Sequence, residues 1–180
     1  MNTYLIGVEL PTPIKKDLSL VCSGLQSVDW IPEENFFITL RYLGEINDSL
    51  FAEIKDRLST INFLTLQLSL FGIEANITKG NHCSIWTNVN PSEKIIKLKH
   101  EIDKALVNLN QIPNEKSFQP HVMLGHSNQV SSQRLADYLA YHSFYQTEPF
   151  TINNFVLSTV HNTPNKTLFR TIEKYPKLLS

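Results

Sequence analysis

Phe37-Ile38-Thr39-Leu40, with Leu43-Gly44 just beyond, and His121-Val122-Met123-Leu124-Gly125 read as two copies of one β-segment. Each copy follows a proline-opened helical run, Leu10-Pro11-Thr12-Pro13 in the first half and Asn90-Pro91-Ser92-Glu93 in the second. Pro11 and Pro91 are 80 residues apart, and Phe37 and His121 are 84 apart. A near-constant offset across several elements indicates an internal duplication. The period is too long for a solenoid, so the expectation is two similar lobes with a cleft between them, where ligands bind.

Working outward, Tyr4 to Leu10 is apolar and β-compatible and stops at Pro11, so it reads as a strand. Thr12 to Leu25 reads as a helix, with Thr12 as its cap and Pro13 at its first position. Phe36 to Tyr42 is a strand. Asn47 is a cap for a helix through Leu58 whose apolar face carries Leu50, Phe51, Ile54 and Leu58. Phe63 to Leu70 alternates with a period of two, placing Phe63, Thr65, Gln67 and Ser69 on one face. That face is polar enough to look into a cleft. The second half repeats the order. Cys83 to Val89 is a strand, and Asn90 caps a helix with Pro91 first and Glu93 three residues after the cap. Its stripe is Ile95, Leu98, Ile102, Leu106 and Leu109. Phe118 to Gly125 is a strand, Ser131 caps a helix carrying Leu135, Tyr138 and Leu139, and Phe150 to Val160 and Thr167 to Glu173 are strands. The repeat halves are roughly 1–75 and 80–165, with a closing strand at 167–173. The loops Gly72 to Asn81 and Gln111 to Ser117 are expected to be the most mobile.

Bulk composition excludes several classes. The chain has 180 residues, 42% of them hydrophobic, which suits one domain or two packed lobes. A net charge of -1 carries no signature of a general nucleic-acid binder, although a local phosphate site remains open. The first ten residues lack a basic region and a long apolar core, so no secretory signal is expected. No apolar run reaches the ~18 residues of a membrane span. Cys22 and Cys83 have no metal-type spacing, and reduced thiols in the cytoplasm are the expectation. No Gly-rich loop follows the first strand, which disfavours a dinucleotide fold.

The stretch Pro32-Glu33-Glu34-Asn35-Phe36-Phe37-Ile38-Thr39-Leu40-Arg41-Tyr42-Leu43-Gly44-Glu45 resembles the first signature segment of the two-histidine phosphoesterases. The RNA 2',3'-cyclic phosphodiesterase (2'-5' RNA ligase-like) branch is the nearest. Phe118-Gln119-Pro120-His121-Val122-Met123-Leu124 resembles the second signature. Ser84 to Val89 and the ending from Phe155 to Pro176 also fit, so the resemblance spans nearly the whole chain. It implies an α+β, bilobal, pseudo-symmetric fold. An antiparallel sheet in each lobe lines a V-shaped cleft, with helices outside. It implies a His-x-Thr from each lobe, one histidine acting as acid toward the leaving oxygen and the other as base toward water. The threonines hold the phosphate. Imidazole titrates near neutrality, and a hydroxyl two residues away shares its strand face, so the chemistry is consistent and calls on no metal or cofactor. The implied partner is an RNA end or small nucleotide bearing a cyclic phosphate, and the implied state is a monomer.

Two positions depart from the pattern. Phe37 stands where the first histidine belongs, and Met123 where the second threonine belongs. His121 is left as the candidate catalytic residue and Thr39 as the candidate phosphate ligand. Arg41, two residues from Thr39, is expected on the same face, as a phosphate clamp or a rim ion pair. His126 is out of phase with His121 and is expected on the other face unless a bulge re-aims it. His82, His100, His142 and His161 are expected at the surface and Trp86 in the core. Impaired or altered catalysis is the expectation. A non-catalytic nucleotide-binding or protein-interaction module on the same scaffold is the alternative.

Overall fold

The computed structural model describes residues 2–78, 81–109, 117–162 and 167–176. Two antiparallel sheets and four helices make an α+β fold. The strands are β1 (Asn2–Glu9), β2 (Asp29–Trp30), β3 (Phe37–Ile46), β4 (Leu66–Ile77), β5 (Cys83–Asn90), β6 (His121–Ser127), β7 (Phe150–Ile152), β8 (Phe155–Asn162) and β9 (Thr167–Tyr175). The helices are α1 (Thr12–Val21), α2 (Asp48–Ser59), α3 (Ser92–Ala105) and α4 (Ser132–Tyr141). The first sheet has the order β3-β1-β8-β9 and the second β2-β6-β5-β4-β7.

Neither sheet is built from one half of the chain. β4 follows α2 in the first repeat half but pairs with β5 in the second sheet. The last two strands, β8 and β9, return to the first sheet beside β1. The expected division at 75/80 therefore does not coincide with the division between the two sheets. The exchange ties both halves into one core. Ile6, Val8, Ile38, Leu40, Phe155 and Leu157 of the first sheet belong to the same buried cluster as Leu68, Ile85, Val122 and Leu124 of the second. The helices contribute Leu18, Ile54, Leu58, Ile95, Ile102 and Leu135 to that cluster. Truncating one of these, such as Leu40, removes transfer energy and leaves a cavity, at a cost of about 2–5 kcal/mol.

Local chemistry explains most element ends. The Asn47 side chain accepts the N–H of Leu50 at 2.9 Å, capping α2 as expected. In α1 and α3 the prolines Pro11 and Pro91 occupy the cap position, so Thr12 begins α1 and neither Thr12 nor Asn90 is the cap. Pro11 supplies its carbonyl to the N–H groups of Ile14 and Lys15, both at 3.0 Å. Helix α1 stops at Val21, short of Leu25, where Ser23 and a left-handed Gly24 (φ 88°) break the helical path. Helix α3 stops at Ala105, while Leu106 and Leu109 still reach the core through a turn at Asn108 (φ 68°).

Strand β4 begins at Leu66, three residues later than Phe63, and does not end at Leu70. Gly72 adopts φ 63° and takes up a register shift between Phe71 and Ile73, so the strand continues to Ile77. The loop expected at Gly72 to Asn81 is thus mostly strand. The one expected at 111–117 lies, except for Ser117, outside the described residues. Strand β6 begins at His121, after Phe118-Gln119-Pro120, and the strand expected from Phe150 to Val160 is two, β7 and β8, in different sheets. Among the described residues no helix is long and apolar enough to cross a membrane.

Candidate active site

The two signature strands, β3 and β6, approach each other where the two sheets meet. Both carry the same irregularity. Opposite β1, Gly7 pairs with Thr39 and Ile6 with Arg41, leaving Leu40 without a partner. Opposite β5, Trp86 pairs with Met123 and Ile85 with Gly125, leaving Leu124 without a partner. Leu40 and Leu124 each lie three residues after the signature position, at Phe37 and His121. A one-residue bulge reverses which side chains face which way beyond it.

That bulge decides the fate of two residues. Arg41 does not share the face of Thr39. It pairs with Ile6 of the buried face, is 5% exposed, and forms an ion pair with Asp103 of α3. Lys99 also donates to Asp103, at 2.8 and 2.9 Å. Arg41 thus ties the first sheet to α3, and the expected phosphate clamp is corrected to this ion pair. Tyr42, opposite Leu5, takes the face that alternation assigned to Arg41. In β6 the bulge acts the other way. His126, half-buried and paired with Ser84, is turned onto the face that carries His121 and Met123. The sequence gives no periodic signal for a bulge, so this histidine is legible only from the register.

His121 is half-buried and pairs with Asn88. Its Nδ1 lies 2.8 Å from the carbonyl oxygen of Gln119. A carbonyl only accepts, so Nδ1 carries a proton, and of the two neutral tautomers the contact selects the one with its lone pair at Nε2. The edge of Trp86 meets the imidazole at 6.2 Å between centroids, which helps fix its orientation. Trp86 is accordingly half-buried on this face and not enclosed in the core. Thr39 is exposed on β3, two residues from Phe37 and on the same face of the sheet.

Phe37 is 7% exposed and packs with Leu5 and Val156, separately from the main core. Its ring fills the space left by Gly7, where an added Cβ would sit 2.1 Å from Phe37 Cε1. Phe169 of β9 meets it edge-on at 5.7 Å. Asn35 secures that hairpin, its amide donating to the Thr167 carbonyl and its Oδ1 accepting the Phe169 N–H at 3.2 Å. Phe37 is therefore packed from within its own sheet. The titratable group beside it is Glu9, paired with Phe37 across the strands. Burial pulls the Glu9 carboxyl upward, but hydrogen bonds from Thr171 and Lys174 prevail and hold it below the usual range.

His126 forms a second polar cluster. Its Nδ1 is 3.3 Å from Ser84 Oγ, and its ring stacks on His82 at 5.5 Å. His82 Nδ1 lies 2.9 Å from Asn128 Oδ1. Burial and the neighbouring His82 depress the His126 pKa, with Asp29 opposing. His82, His100 and His161 are at the surface and His142 is half-buried. Gln67 and Ser69 alternate onto the same face of β4 as Phe71, the neighbour of Asn88 in the His121 row. Among the described residues no group of three or more His, Cys, Asp or Glu side chains is placed to hold a metal.

No family model matches the chain. It is 30% identical over 95 residues to a protein of Aeropyrum pernix named RNA 2',3'-cyclic phosphodiesterase; the match spans 52% of this chain and 54% of that one, about half the length of that relative. A protein of the same name from Archaeoglobus fulgidus is 25% identical over 163 residues, covering 91% of this chain and 89% of its own. The crystal structure of E. coli LigT complexed with 3'-AMP superposes with a TM-score of 0.79 at 13% identity, over 97% of both chains. The chain thus has the LigT-like fold, and its sequence is similar to proteins named RNA 2',3'-cyclic phosphodiesterase, in line with the resemblance to the two-histidine phosphoesterases.

Proposed function

We propose that the protein acts on the 2',3'-cyclic phosphate ends of RNA, as a phosphodiesterase with one of its two proton-transfer groups missing. The observation that carries this is the His121 imidazole. It is oriented by the Gln119 carbonyl with Nε2 presented, on a strand that meets the Thr39 strand. In hydrolysis, water attacks phosphorus, a P–O bond to the ribose breaks, and the ribose oxygen leaves as a hydroxyl. Neutral His121 removes the proton from the attacking water. Thr39 donates its hydroxyl to a non-bridging phosphate oxygen. With Phe37 in the acid position, the leaving oxygen takes its proton from solvent, which costs roughly 10²–10⁴-fold in rate. The sequence of steps is metal-independent, because imidazole does the proton transfer.

The closed packing of Phe37 under Phe169 favours a second reading, a cleft that holds a nucleotide phosphate and turns it over negligibly. The test is hydrolysis of an RNA oligonucleotide ending in a 2',3'-cyclic phosphate, with chelator present, alongside binding of the product oligonucleotide. Slow hydrolysis lost in His121→Ala supports the enzyme. Binding without turnover supports the module. Neither binding nor turnover contradicts both.

A further inference from the structure

A cavity of about 240 Å³ opens at Phe118, Gln119 and Pro120, the residues just before His121, and is lined also by Phe71, Glu74 and Asn88. Gln119 is the residue whose carbonyl orients His121, so the cavity and the imidazole share a wall. Phe71, Asn88 and His121 form one row across β4, β5 and β6. From His121 to β4 is two inter-strand steps, roughly 10 Å. That span suits the ribose and base of a nucleotide whose phosphate sits at His121. Phe71 is 43% exposed, which leaves an aromatic face open for stacking.

The polar wall is specific. Asn88 is 6% exposed, and its Nδ2 donates to Glu74 Oε1 at 2.7 Å. Gln119 Nε2 reaches Asn88 Oδ1 at 3.5 Å. The buried amide thus braces the carboxylate and leaves Glu74 Oε2 as an acceptor at the cavity. An ionised carboxylate only accepts. Guanine is the base with two adjacent donors on its pairing edge, N1–H and the N2 amino group. Adenine and cytosine each set a ring lone pair beside their amino group, and uracil flanks its one N–H with two carbonyls. A carboxylate opposite any of these three meets a lone pair. Gln119 Nε2 is placed to donate to an acceptor such as guanine O6.

We infer that this cavity is a base-recognition pocket that selects guanosine as the nucleotide bearing the phosphate. Phe71 is the stacking face and Glu74 the reader of the N1–H/N2 edge. The inference rests on the proposed phosphate site at His121 and adds the substrate class to it.

The test is calorimetric binding of guanosine, guanosine 3'-monophosphate and adenosine 3'-monophosphate to the full chain. The variants are Glu74→Gln, Phe71→Ala and His121→Ala. Glu74 is exposed and its Gln replacement is isosteric, so that variant retains the fold. The expected result is on the order of tenfold or more tighter binding of the guanosine nucleotide than the adenosine one. Glu74→Gln abolishes that preference, Phe71→Ala weakens both nucleotides, and His121→Ala weakens both without changing their ratio. Equal affinity for the two bases, or a preference unmoved by Glu74→Gln, overturns the pocket while leaving the phosphate site standing. Glu74-dependent binding of guanosine, with no gain from its phosphate, upholds the pocket and overturns the phosphate site. No binding of any of the three overturns both.

Discussion

The ring of Phe169 lies edge-on against Phe37, centroids 5.7 Å apart, and Phe37 stands where the signature that the sequence resembles carries a histidine. Restoring that histidine is therefore not a matter of one side chain. Phe37→His puts an imidazole among Leu5, Val156 and Phe169 and forfeits aromatic packing, so it is expected to lower stability by about 2–3 kcal/mol in urea unfolding. Phe37→His with Met123→Thr is expected to leave hydrolysis near the parent rate. Adding Phe169→Ser opens the packing around position 37, and the triple variant is expected to gain on the order of 10²-fold. A full gain in the double variant alone would show that the hairpin does not limit access.

Gly7 is the floor beneath that ring. An added Cβ would meet Phe37 Cε1 at 2.1 Å and the Ile38 carbonyl oxygen at 2.3 Å. One obstacle is a side chain and the other is backbone. Gly7→Ala is expected to destabilise by ~3 kcal/mol or more. Adding Phe37→Ala is expected not to rescue it, because the carbonyl stays in place. Recovery of parental stability in the double variant, read from denaturant midpoints, would contradict this packing.

Asp103 receives both Arg41 and Lys99, each at most 5% exposed. Removing the carboxylate takes a shared acceptor away from two buried cations. Asp103→Ala is expected to cost on the order of 2–4 kcal/mol. A loss of only a few tenths would show that the pair is solvent-screened and contributes little to joining α3 to β3.

The pH dependence of stability follows from His126. Burial and His82 hold its pKa below 6.5 in the folded protein, with Asp29 and the Ser84 hydroxyl as its other polar neighbours. The unfolded chain thus binds this proton more readily. The stability that His126 contributes is present above about pH 6.5 and is lost as pH falls through that value. His126→Gln is expected to flatten the decline of the urea midpoint between pH 7 and 5. An unchanged slope would place the acid sensitivity elsewhere.

The duplication and most elements are visible in the chain because they rest on short-range patterns: proline-opened helices, period-two strands and the Asn47 cap. Three features are not visible, each for a physical reason. The bulges at Leu40 and Leu124 add one residue without altering local hydrophobicity, so alternation misassigns Arg41 and leaves His126 on the wrong face. The pairing of β4 with β5, and of β8 with β1, is set by long-range ladders that no local signal encodes. The enclosure of Phe37 depends on Phe169, more than 130 residues distant in sequence and held by Asn35. What the motif does specify is a pair of strands that the fold brings into contact, those of His121 and Thr39.

His121, oriented by the Gln119 carbonyl, is the proposed proton-transfer group of the site. The direct measurement is the rate of hydrolysis of an RNA ending in a 2',3'-cyclic phosphate, with chelator present, for the parent and His121→Ala. A slow parental rate that falls at least tenfold further in His121→Ala, with the variant folded by circular dichroism, is the expected result. A parental rate that His121→Ala leaves unchanged contradicts the account and places the chemistry on another group.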